Sequence, residues 1–365
     1  MKYKERILKI VLSFFSFFAI RIRQKENRIT FITLESDKLE NDFLLISEEL
    51  ARRGGYELKY HLIKYEKTIL GNLKYLIACI YQLFLINSSK VVLLDFNNYV
   101  VSNFKRKEVK VIQVWHASGA IKKFGNMTQR DYVIKNYDFA ICNAEIFRPI
   151  FSEAFNIPKE NIISTGIPRT DVLFDAVAME KNKEEIQKKY PEIKGKKVIL
   201  YAPTFRGRLM EGLQVDSLDI TTLVKKLPKE YVVMYKMHPL ISDLYMNTGC
   251  RAICANHEEL YKLFSVADCL ISDYSAVIFD FTVLGRPIYF YAPDYKEYAE
   301  KPGFCIDYLH EIPMKICYNQ DELSKQIVSM KYDMEALEKF SEKYFEHRDG
   351  ESCKRVVDLI EKVVK

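Results

Sequence analysis

The chain has 365 residues, 48% of them hydrophobic, a length too great for one ordinary core and a composition that excludes a disordered chain. The 55 Lys and Arg stand against 49 Asp and Glu, and the net charge of +6 is modest for this length. With the 13% aromatic residues spread along the chain rather than interleaved with cations, nucleic acid is not an expected partner.

Residues 1–23 open with Lys2, Lys4, Arg6 and Lys9, run through a Phe-rich apolar stretch from 10 to 20, and close on Arg21 and Arg23. The apolar part falls short of a bilayer about 30 Å thick, and cations on both sides without a small-residue cleavage site do not fit a secretory signal. Phe14, Phe15, Phe17 and Phe18 between cations suit a segment lying among the headgroups of an anionic membrane, and equally the first helix of a folded domain. Either reading keeps the protein on the cytoplasmic side.

From Arg28 onward, residues 30–34, 58–63, 90–94, 109–114, 139–142 and 162–164 read as strands, separated by helical stretches such as 41–53, 68–85 and 145–154. Strands alternating with helices predict a parallel sheet covered on both faces. Residues 176–195, charged and helical with Pro191 and Gly195 as punctuation, mark a domain boundary. A second alternation follows, with strands at 197–201, 231–235, 251–254, 269–272 and 287–291 and closing helices at 321–345 and 352–364. The expected fold class is α/β, with two Rossmann-like doubly wound domains facing across a cleft.

Ligand-binding residues of such a fold gather just after strands. Five stretches obey this: Trp115–Gly125 (WHASGAIKKFG), Thr165–Asp171 (TGIPRTD), Tyr201–Arg206 (YAPTFR), Lys236–Pro239 (KMHP) and the turn Ser272–Asp280. In the last, the strand Cys269-Leu270-Ile271 stops at Ser272, and apolar residues resume at helical spacing until Gly285 and Pro287. Ser275 then sits where free backbone N–H groups and the helix dipole converge, as an anion site or as an ordinary N-cap.

His116 and His238 each follow a strand, one in each domain, which suits catalytic work. Lys236, Arg206, Arg169, Ser275 and the helix start at Ala276 supply donors for a pyrophosphate. No Asp-x-Asp pair follows a strand, and neither a Walker glycine loop nor G-x-G-x-x-G is present, so a nucleoside diphosphate donor held by protein cations fits better than a metal-bound triphosphate. The eight cysteines are scattered, mostly in apolar runs such as those of Cys79, Cys142 and Cys269, as in a reduced interior. Cys250, Cys254 and His257 lie close together but lack a fourth ligand, so no metal and no cofactor is expected.

These five motifs, with Gly285–Asp294 (GRPIYFYAPD) after the last, resemble in order and spacing the CDP-glycerol glycerophosphotransferases of wall teichoic acid synthesis. The resemblance covers about residues 90–294 and implies the GT-B architecture, peripheral attachment to the inner membrane leaflet, and transfer of glycerol phosphate from CDP-glycerol to a lipid-linked acceptor with release of CMP. Polymerases of the family read His-Gly-Thr-Pro where this chain has His116-Ala117-Ser118-Gly119. That departure, and the length, look more like the primase branch, which adds the first glycerol phosphate to a ManNAc-GlcNAc diphosphoundecaprenol.

The resemblance implies four parts: residues 1–27 as a membrane-associating segment, 28–180 as the acceptor domain, 181–345 as the CDP-glycerol-binding domain and 346–365 as a C-terminal helix. It makes His116 the general base and His238 the second essential histidine. Lys236, Arg169, Thr204, Ser275 and Ala276 then hold the diphosphate with His238, while Asp280 either binds a donor hydroxyl or caps its own helix. Trp115, Ala117, Ser118, Gly119, Pro203, Arg206 and Met237 complete the expected substrate-binding set. The partners implied are CDP-glycerol, the undecaprenyl-diphosphate-linked disaccharide and an anionic membrane surface; a homo-oligomer stays open. So do a CDP-ribitol donor, a polymerising activity for teichoic acid or capsule, a nucleotide-sugar transferase and a non-catalytic scaffold.

Overall fold

Among the described residues, eleven strands form two separate sheets in which every ladder is parallel. The computed structural model describes residues 2–65, 68–204, 218–237 and 251–365. It divides into two compact units, one made of Met1–Ser118, Lys123–Asp171 and Glu351–Lys365, the other of Gly119–Lys122 and Val172–Gly350.

The first unit runs α1 (Lys2–Ala19), β1 (Arg28–Thr33), α2 (Asn41–Arg53), β2 (Glu57–Leu62), α3 (Ile69–Asn87), β3 (Val91–Leu94), α4 (Tyr99–Phe104), β4 (Lys110–Gln113), β5 (Phe139–Cys142), α5 (Arg148–Phe155) and β6 (Ile162–Ser164). Its sheet order is β2-β1-β3-β4-β5-β6. The second unit runs α6 (Ala176–Lys189), β7 (Lys197–Tyr201), α7 (Ile220–Lys226), β8 (Tyr231–Tyr235), β9 (Ala252–Cys254), α8 (Leu260–Val266), β10 (Cys269–Ser272), α9 (Val277–Thr282), β11 (Ile288–Phe290), α10 (Tyr295–Glu300), α11 (Tyr308–Glu311), α12 (Gln320–Ser329) and α13 (Met334–Tyr344), with sheet order β11-β10-β7-β8-β9. The chain then returns to the first unit as α14 (Ser352–Val364).

Strand composition follows burial: all of Val91–Leu94 and Tyr231–Tyr235 is buried, as a parallel sheet covered on both faces requires. In the first core, Ile29, Phe31, Val91 and Leu93 meet Phe43, Ile46 and Leu50 of α2 and Val356, Val357 and Ile360 of α14. Asp171 caps α14, its carboxylate accepting from the N–H groups of Ser352 (3.0 Å) and Cys353 (2.8 Å). Arg355 Nε donates to the Thr165 carbonyl at 2.8 Å, so the Thr165–Asp171 motif anchors this helix.

The helix expected at 321–345 is two helices. Met330 takes a left-handed conformation (φ 52°) that ends α12, and Asp333 caps α13 by accepting from Ala336 N.

The amphipathic α1 carries one buried and one exposed apolar face. Leu12 and Ala19 are fully buried and Phe15 meets Phe84 of α3 edge to face, whereas Ile10, Phe14, Phe17 and Phe18 are exposed. Beside it, α3 is long and apolar enough to cross a membrane by length and composition, and exposes Ile69, Leu70, Leu73, Ile77 and Tyr81 at near-helical spacing.

Candidate active site

In each unit, candidate site residues gather at the carboxyl ends of that unit's own strands. In the first unit, β1, β3 and β4 are adjacent, which brings together the residues that follow them: Glu35, Asp95 and His116. Buried Gln113 braces these loops, donating to the Phe96 carbonyl at 2.9 Å and accepting from Trp115 N at 3.0 Å. Trp115 has φ 61°, a left-handed conformation costly for a side chain of this size. Its ring is held by stacking on Phe124 at 5.1 Å and by an edge contact with Phe155. Gly125 has φ +59°, and a Cβ there would lie 2.3 Å from the Ala154 carbonyl oxygen, so only glycine lets this loop close on α5.

This bracing sets the direction of His116, whose ring lies 4.0 Å from that of Trp115. His116 Nδ1 is 2.9 Å from the Asp95 carbonyl oxygen and 3.5 Å from Glu35 Oε1. A carbonyl only accepts, so Nδ1 is the donor, and in the neutral ring this tautomer leaves the lone pair on Nε2. The side chain is 41% exposed, enough to meet a substrate. Ala117 is half-buried and Ser118 buried, while Gly119 belongs to the second unit, where Ile121 O accepts from Cys305 N and Lys122 pairs with Phe304.

Asp95 and Glu35 were missed by sequence reasoning, although both obey the strand-end rule. Burial first, and then the Glu35 charge, push the Asp95 carboxyl up to about 7. Its Oδ1 is buried without a hydrogen-bond partner among the described residues. Arg169, expected to bind diphosphate, is held by Asp42 on α2: the Asp42 carboxylate accepts from the Arg169 backbone N–H at 2.8 Å and pairs with its guanidinium.

In the second unit β10, β7 and β8 are adjacent, so the turns after them form one edge. Asp273 Oδ1 accepts from Thr204 N at 2.8 Å, Ser272 Oγ donates to the Ala202 carbonyl, and Pro203 and Thr204 are buried. Ser275 and Ala276 are half-buried; Ser275 Oγ accepts a long 3.4 Å bond from Val277 N, and Ala276 holds the N-cap position of the six-residue α9. Asp280 lies inside α9, buried, and accepts from the Tyr261 hydroxyl at 2.9 Å. Lys236 donates to the carbonyls of Asn256 (3.1 Å) and Glu258 (2.5 Å), two of its three ammonium protons being used among the described residues, and burial lowers its pKa. Met237 is buried, its N–H held by Asn256 Oδ1. Arg206, His238 and Cys250 lie outside the described residues.

Residues 14–362 match the family model of CDP-glycerol:poly(glycerophosphate) glycerophosphotransferases. The chain belongs to this family. It is 34% identical over 370 residues to the teichoic acid ribitol-phosphate primase of Bacillus spizizenii, covering 92% of this chain and 91% of that one. It is also 34% identical over 307 residues to the teichoic acid glycerol-phosphate primase of Bacillus subtilis, covering 80% and 77%. Of the Bacillus spizizenii poly(ribitol-phosphate) polymerase it spans 56%. Among solved structures, a variant of the wall teichoic acid polymerase TagF soaked with CDPG superposes with a TM-score of 0.73 at 25% identity, over 93% of this chain and 89% of that one. The protein is thus an α/β transferase of teichoic acid synthesis.

Proposed function

We propose that this transferase moves glycerol phosphate from CDP-glycerol to the ManNAc-GlcNAc disaccharide of an undecaprenyl-diphosphate lipid, releasing CMP, as a priming step. The observation that carries it is a strand-end His116, held through Nδ1 by the Asp95 carbonyl and 41% exposed, in a member of this family. The acceptor hydroxyl attacks the glycerol-bearing phosphorus in line as its proton passes to His116 Nε2. A new P–O bond forms, and the old P–O bond breaks with its electron pair leaving on CMP. Thr204, Ser275, the Ala276 N–H, Lys236 and His238 hold the diphosphate, so both units serve one GT-B-type reaction, by positioning and charge stabilisation.

The donor has a second reading, CDP-ribitol, favoured by the longer alignment with the ribitol-phosphate primase, 92% of this chain against 80% for the glycerol-phosphate primase. The apolar faces of α1 and α3, with Arg21 and Arg23 beyond α1, support docking on the cytoplasmic face of an anionic membrane, where a polyprenol-linked acceptor resides. The test is CMP release by His116→Ala with either CDP-alcohol and a lipid-linked disaccharide. Turnover should fall by about 10²- to 10⁴-fold with donor binding retained; near-normal turnover rejects the assignment.

A further inference from the structure

We propose that Glu35 is a positioning residue that acts through His116, its carboxylate balancing the positive charge that appears on the ring when Nε2 takes the acceptor's proton. This deepens the base assignment above and rests on it. The geometry divides two tasks that one carboxylate often performs. The Asp95 main-chain carbonyl, 2.9 Å from Nδ1, fixes the tautomer whatever residue stands at 35. Glu35 Oε1, at 3.5 Å from the same nitrogen, adds charge without being needed for orientation.

The charged groups around the ring come from each neighbouring strand end. Glu35 follows β1, Asp95 follows β3, and Arg169 follows β6 with its charge matched by Asp42 of α2. Asp95 lies deeper than Glu35, and its burial keeps it largely protonated below neutrality. The exposed carboxylate beside the His116 ring is that of Glu35, 3.5 Å from Nδ1.

A role through the ring's charge predicts a defect in the chemical step rather than in binding. Glu35→Gln keeps shape and removes charge, and its exposed position leaves folding intact, to be checked by an unchanged thermal midpoint. With CDP-glycerol or CDP-ribitol, whichever is turned over, and a lipid-linked disaccharide, kcat should fall about 5- to 50-fold, with KM for both substrates within about twofold. Glu35→Asp, which retains the charge, should recover part of the loss. In a His116→Gln background the Glu35→Gln change should add nothing further. The inference is overturned by a Glu35→Gln kcat within about twofold of the parent, or by a loss that persists undiminished in the His116→Gln background. A His116→Gln enzyme with parental turnover instead removes the base assignment itself, so the two failures are told apart by that single variant.

Discussion

Asp42 and Arg169 form a two-point link, one carboxylate taking both the backbone N–H and the guanidinium of a residue 127 positions away. Their side chains are only 4% and 19% exposed, so removing either leaves a charge poorly solvated. Asp42→Ala and Arg169→Ala should each cost about 2–4 kcal/mol in urea unfolding, and the double variant less than their sum. Additive losses would show that the pair is not the source.

The Asp95 carboxyl gives stability a definite pH dependence. A folded-state value of about 7 against 3.8 in the open chain means that the folded protein keeps a proton the unfolded chain has lost. Stability from this group is complete below about pH 4, falls as pH rises toward 7, and changes no further above it. Asp95→Asn should flatten that slope and be more stable than the parent at pH 8 by about 1–4 kcal/mol. Denaturation midpoints between pH 5 and 8 measure it; parallel curves for parent and variant refute it.

The two faces of α1 should separate in experiment. Phe14→Ser with Phe18→Ser alters exposed positions and should release the protein from phosphatidylglycerol vesicles without lowering its melting temperature, whereas Leu12→Ala, fully buried, should cost about 2–5 kcal/mol. Ile77→Ser on α3 should weaken vesicle binding in the same way, and salt should weaken what the flanking cations contribute. Retained flotation by all exposed-face variants would remove the membrane assignment from this surface.

Donor identity can be read from melting curves. A donor present at 100 times its dissociation constant should stabilise by about 2.7 kcal/mol. CDP-glycerol should do so; stabilisation by CDP-ribitol alone selects the second donor reading, and by UDP-sugars alone a glycosyl transfer.

Strand and helix alternation was readable because parallel strands buried on both faces, such as Val91–Leu94 and Tyr231–Tyr235, are continuous apolar runs. The place of His116 at a strand end was readable because it follows such a run. The neighbourhood of Glu35 and Asp95 to it was not, because a search for cations to hold a diphosphate passes over carboxylates at strand ends. The pairing of Arg169 with Asp42 was not readable either, because the partner is distant in sequence and no local pattern reports a non-local ion pair. The exposed face of α3 was hidden by its uniformly apolar composition, which reads as core.

The return of α14 to the first unit has a consequence for biosynthesis. Val356, Val357 and Ile360 occupy the same core as Phe31, Ile46 and Leu50, yet leave the ribosome only after the whole second unit. The first sheet must therefore wait with one flank uncovered while some 180 residues are translated, about 10–40 s at bacterial and eukaryotic elongation rates. During that interval the nascent chain presents an apolar groove shaped for an amphipathic helix, an opening for chaperones and a vulnerability to premature association. Docking of α14 is the event that closes it.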